Sequence, residues 1–86
     1  MTQPQNALPQ MLYHVMWYKN NGSCAVRETS GKKTQVFSYG GKTVAKRRPD
    51  LTKDALESIG EKVVEKLNRG EWSVEEGKAW CMSQLK

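Results

Sequence analysis

With 86 residues the chain has room for one small domain. Such a domain buries roughly 60% of the surface its unfolded chain exposes, too thin a core to enclose an active-site cavity comfortably. No apolar run approaches the ~20 residues of a membrane span, and the opening MTQPQNALPQ has no basic residue followed by an apolar stretch, so neither a membrane helix nor a secretory leader is expected.

The net charge of +5 divides unevenly along the chain. Residues 1–48 hold eight Lys/Arg (Lys19, Arg27, Lys32, Lys33, Lys42, Lys46, Arg47, Arg48) against Glu28 alone, giving +7. Residues 49–86 hold six basic and eight acidic residues, giving −2, and the two values recover the total. A field with direction points to polyanion binding by the basic half. The plain alternative is general basicity, which many small proteins with a pI near 9.4 share.

Residues 1–11, with Pro4, Pro9 and four Gln/Asn, lack periodicity and read as a flexible arm. From residue 12 to residue 86 the pattern is that of a single βββαα domain. Leu12 to Tyr39 carries most of the aromatic residues and reads as three short antiparallel strands. Asn21-Gly22 suits the central pair of a type I′ turn, which places Asn20 opposite Ser23 and Trp17 opposite Val26. Alternation then gathers Tyr13, Val15, Trp17, Cys24 and Val26 on one face.

A second turn falls in Thr29-Ser30-Gly31-Lys32-Lys33. With Gly31-Lys32 at its centre, Val26 faces Phe37 and Cys24 faces Tyr39, so both aromatics join the apolar face. The opposite face then holds His14, Met16, Tyr18, Arg27, Thr29, Thr34, Val36 and Ser38.

Gly40-Gly41 ends the third strand, and Lys42 to Arg48 (KTVAKRR) reads as a basic connector, either a solvated loop or a phosphate contact. Helices are expected near 51–69 and 74–85, both packed on one face of the sheet, which makes the fold class α+β. Asp50 or Thr52 is the N-cap of the first, and Leu56, Ile59, Val63 and Leu67 form its apolar stripe. Gly60 either weakens this helix or admits another element closely. Gly70 suits the left-handed C-terminal position. Ser73-Val74-Glu75-Glu76 is a capping box opening the second helix. Trp72 and Trp80 flank its apolar residues, and packing against the sheet or first helix is their expected role.

Catalytic machinery is hard to find. His14 is the single histidine and has no nucleophile or acid spaced beside it. A structural zinc needs four Cys/His ligands, and the chain offers His14, Cys24 and Cys81. Gly40-Gly41-Lys42-Thr43 lacks the earlier glycine of a phosphate-binding loop. The expectation is a binding protein, not an enzyme, with no cofactor and no metal. Two cysteines make no disulfide framework, which favours free thiols and the cytoplasm.

Binding chemistry fits better. A narrow antiparallel sheet is among the few elements that enter a major groove. Arg27 would then meet base edges, Thr29, Thr34 and Ser38 would add hydrogen bonds, and Lys19, Lys32, Lys33, Lys42, Lys46, Arg47 and Arg48 would meet phosphates. The rival is a protein-binding adaptor or inhibitor using the aromatics of the first strand with Trp72 and Trp80.

The stretch LYHVMWYKNNGSCAVRETSGKKTQVFSYGG, three strands before a helix, resembles the amino-terminal, arm-type DNA-binding domain of phage integrases. The residues that carry the resemblance are Leu12, Tyr13, Asn20, Asn21, Gly22, Cys24, Arg27, Gly31 and Lys32, over roughly a third of the chain. It implies duplex DNA as the partner, read by the outer face of the sheet. The sequence departs from that pattern in an arm without basic residues, a longer connector and an added second capped helix, and no recombinase domain follows. The resemblance therefore implies a free-standing module, suited to a phage or mobile-element accessory protein.

Overall fold

A computed structural model of the chain describes residues 12–29 and 35–86. The expected arm (1–11) and most of the second turn, including Lys32, Lys33 and Thr34, lie outside the described residues. Strands β1 (Tyr13–Tyr18), β2 (Ser23–Glu28) and β3 (Gln35–Gly40) form one antiparallel sheet in the order β1-β2-β3. Three helices follow, α1 (Lys42–Arg47), α2 (Lys53–Asn68) and α3 (Val74–Gln84). The fold is α+β, with one short helix more than the sequence predicts.

The β1–β2 hairpin differs from expectation by two residues. Tyr18 pairs with Ser23 and Trp17 with Cys24, so the loop is Lys19–Gly22 and not Asn21-Gly22 alone. The Tyr18 carbonyl accepts from both the Asn21 and Gly22 amides, at 3.1 and 2.9 Å, and Gly22 sits at φ 67°. This is a four-residue loop ending in the left-handed conformation that glycine adopts without steric cost. A shift of two leaves every side chain on its expected face.

Between β2 and β3 the expected register holds, with Cys24 opposite Tyr39 and Val26 opposite Phe37. An irregularity then pairs Arg27 with Gln35 in place of Val36. The extra residue in β3 bends the strand, as a bulge does. Val36 consequently packs toward the core instead of joining the outer face.

The core lies between the sheet and α2 and α3. Cys24, Val26, Phe37, Tyr39, Leu56, Val63, Val64, Leu67, Cys81 and Leu85 are buried in one cluster. Trp17, Ile59, Trp72, Trp80 and Met82 pack around it half-buried. The α2 stripe therefore meets the face expected of it, with Val64 added.

Helix ends follow their chemistry. The Thr52 hydroxyl accepts from the Ala55 amide at 3.3 Å, which settles the N-cap on Thr52 rather than Asp50. Ser73 and Glu76 satisfy each other's amides at 3.1 and 2.8 Å. Gly70 follows α2 at φ 73°.

Gly60 serves close approach. A Cβ built there would stand 2.1 Å from the Tyr39 hydroxyl and 2.9 Å from Val15 Cγ2. That hydroxyl donates to the Leu56 carbonyl at 2.7 Å, so β3 is hydrogen-bonded to the side of α2.

Candidate nucleic-acid interface

Because α2 and α3 pack on the face carrying Cys24 and Val26, the alternate residues of the same strands face outward: His14, Met16, Tyr18, Ser23, Ala25, Arg27 and Ser38. Met16 is 38% exposed, while Ala25 on the same face is 0% exposed. Ala25 lies on the central strand, with Met16 and Ser38 directly opposite it on the two neighbouring strands. Tyr18 stands opposite Ser23, and Arg27 lies four residues further along β2. The Arg27 guanidinium nevertheless donates through Nη1 to the Tyr18 hydroxyl at 2.5 Å. To meet, the two side chains reach diagonally across the row that holds Met16 and Ala25.

The candidate residues divide into three groups. Lys19 is exposed in the β1–β2 loop, and Lys42 and Lys46 are exposed on α1. These sit toward one end of the sheet, where the Gly41 amide donates to the Gly22 carbonyl at 3.0 Å. Arg27 and Thr29 lie further along β2 and just beyond it, Thr29 exposed with its hydroxyl 3.4 Å from His14 Nδ1.

Arg47 and Arg48 form the third group, and they have structural work. Arg47 donates to the Leu85 carbonyl at 2.9 Å. Arg48 donates to the carbonyls of Gln84, at 3.5 Å, and of Lys86. It also grips Asp50 through two hydrogen bonds, at 3.0 and 2.7 Å. Those bonds raise the Arg48 pKa and hold the Asp50 carboxyl below its usual range. The last carbonyls of a helix lack intrahelical donors and carry the negative end of its dipole. Two arginines of the basic run thus close α3 and fasten α1 to it. In the sequence they look like any other cations of the run, because the carbonyls they engage lie 36 to 38 residues away.

Asn68 was not legible either. Its Oδ1 accepts from the Leu12 and Tyr13 amides at 2.8 and 2.9 Å, and its Nδ2 donates to the Tyr13 carbonyl at 3.3 Å. One side chain at the end of α2 thereby fixes the start of β1. Its only sequence signal is a polar residue in the last turn of an amphipathic helix, which usually reads as solvated.

Trp72 and Trp80 pair with each other, ring centroids 5.5 Å apart, as they pack on the core. Trp17, at the edge of the core, holds Lys53 Nζ 6.0 Å from its ring centroid. Both cysteines are free and fully buried. Burial pushes the Cys81 thiol up to about 12 and raises that of Cys24, where the Tyr39 hydroxyl offsets part of the rise. Among the described residues, no group of three or more His, Cys, Asp or Glu could hold a metal ion, and no helix is long and apolar enough to cross a membrane. No protein-family model, curated protein or solved structure matches the chain.

Proposed function

We propose that the protein is a binding module, not an enzyme, and that the open face of its sheet takes duplex DNA. The observation that carries this reading is that the face left bare by the helices holds a cation on its central strand, Arg27, while exposed lysines stand toward the other end of the sheet. Charge complementarity supports it, since residues 1–48 sum to +7. Size supports it too. Two interstrand spacings of about 4.8 Å put β1 and β3 roughly 10 Å apart, and a major groove is about 12 Å wide. The resemblance to arm-type integrase domains adds a third support, with the strands and a following helix in the same order. A module of this kind suits an accessory protein of a phage or mobile element.

In this reading Arg27 meets base edges, Thr29 and Ser38 add hydrogen bonds, and Lys19, Lys32, Lys33, Lys42 and Lys46 meet phosphates. Arg47 and Arg48 leave the phosphate set, because α3 and Asp50 engage them. A salt titration with duplex DNA is the test. Four to five phosphate contacts give a slope of log K against log salt of about −4. Lys46→Ala should flatten that slope by about 1, and Arg48→Ala should leave it unchanged while lowering the melting temperature. Absence of binding at ~50 mM salt, where electrostatic association is strong, overturns the reading. A protein partner would then be sought first at Tyr18, Trp72 and Trp80.

A further inference from the structure

Resting on the DNA-binding reading above, we infer that Tyr18 positions Arg27 to recognise a guanine, and that this pair sets the sequence preference of the open face. The starting point is the geometry of their contact. A surface arginine is normally a free rotor that loses much side-chain freedom when it makes a base contact. Here the phenol oxygen holds Nη1 at 2.5 Å, and both residues are themselves half-buried on the sheet. The guanidinium is anchored before any ligand arrives, and anchoring of that kind lowers the ordering cost of binding.

The identity of the anchor matters as much as its position. Arginines are commonly oriented by a carboxylate, which cancels their charge toward a polyanion. Tyrosine is a neutral acceptor, so this contact leaves the positive charge of Arg27 uncancelled. None of the described outward residues of the sheet is acidic: Glu28, the sole acid of residues 1–48, belongs by alternation to the other face.

The pair is also rich in donors. Guanidinium offers N–H groups only, and the Tyr18 hydroxyl, having accepted from Nη1, still has its own proton to donate. In the major groove guanine is the base that shows two adjacent acceptors, N7 and O6, whereas the adenine edge sets an amino donor beside N7. A donor-only pair matches the first and meets an opposing donor in the second.

The experiment is selection from duplexes with a randomised centre, run at one fixed salt with the wild-type chain and its variants. Wild type should enrich guanine at one position. Tyr18→Phe keeps the ring, and should lower that guanine preference about 5-fold, the worth of one hydrogen bond near 1 kcal/mol, with unchanged salt slope. Arg27→Ala should erase the preference, and adding Tyr18→Phe to it should change nothing further, as expected when Tyr18 acts through Arg27. Tyr18→Phe with undiminished guanine preference overturns the inference, as does wild-type binding without any preference. Failure of the wild type to bind any duplex removes the DNA-binding reading itself, an outcome distinct from the other two.

Discussion

Along β2, alternate residues belong to different physical regimes. Cys24 and Val26 point to the helices and are 0% exposed, in a cluster with Phe37, Tyr39, Val63 and Leu67. Ser23 and Arg27, one step away, face outward with Met16 and Tyr18. Ala25 is just as buried as its neighbours, although it faces outward between Met16 of β1 and Ser38 of β3. Equal burial therefore does not mean equal contribution. On the inner face apolar contacts would have to be rebuilt if lost. On the outer face Met16 and Ser38, which flank Ala25, are exposed, and water can replace their contacts. The sheet separates stability from recognition by its period of two.

The largest effect should come from the inner face. Leu67→Ala should cost about 2–5 kcal/mol in urea unfolding, since Leu67 is 5% exposed within the cluster. A loss no greater than that of an outer-face residue would break the comparison.

Next is Gly60→Ala, which helix propensity alone would favour by ~1 kcal/mol. The new methyl would stand 2.1 Å from the Tyr39 hydroxyl. Overpacking should turn the gain into a net loss of about 1–3 kcal/mol. A stabilised variant would show that β3 and α2 are not in the close contact described.

Alkaline pH probes the same face without mutation. Cys81 titrates near 12 in the fold against 9.0 for an ordinary thiol, because burial disfavours the thiolate. A folded value above the unfolded one means that the protonated thiol is favoured by folding. Its contribution is complete below pH 9 and is lost as pH rises from there toward about 12. Stability should fall by about 1.4 kcal/mol per pH unit in that window from this thiol, with Cys24 and Tyr39 adding in the same direction. Denaturation midpoints across that range should show the decline, and Cys81→Ala should shallow it.

The smallest effect belongs to the outer face. Met16→Ala removes a side chain that is 38% exposed, and should change stability by less than about 0.5 kcal/mol. A larger loss would mean that the outer face also carries the fold.

What the sequence revealed of this molecule was mainly its periodicities. The alternation of Trp17, Cys24, Val26, Phe37 and Tyr39 and the α2 stripe depend on local spacing, and apart from Val36, moved by the irregularity in β3, both faces came out as expected even where the first hairpin slipped by two. The turn itself was less legible: Asn21-Gly22 suits a tight turn, but it is equally at home at the end of the longer Lys19–Gly22 loop. Helix α1 was hidden for another reason. KTVAKR has no side-chain cap at Gly41 and no apolar stripe, and it is held from outside by Arg47 and Arg48. The same long-range bonds explain why the basic run read as a connector, either a solvated loop or a phosphate contact, and not as a helix. Exposed Lys19, Lys42 and Lys46 could be read from composition. The Tyr18–Arg27 pair could not, because it depends on a diagonal reach that a pairing register does not display.

The clamp made by Asn68 has a mechanical consequence. β1 is an edge strand, and an edge strand pulled from its free end ordinarily peels one hydrogen-bonded pair at a time. Here the load enters at Leu12 and Tyr13, whose amides are held by an α2 side chain. Tension from the preceding segment passes into the end of a 16-residue helix before it reaches the β1–β2 ladder. A tug on that segment is therefore resisted by helix and strand together, and the outer face of β1 keeps its shape under it.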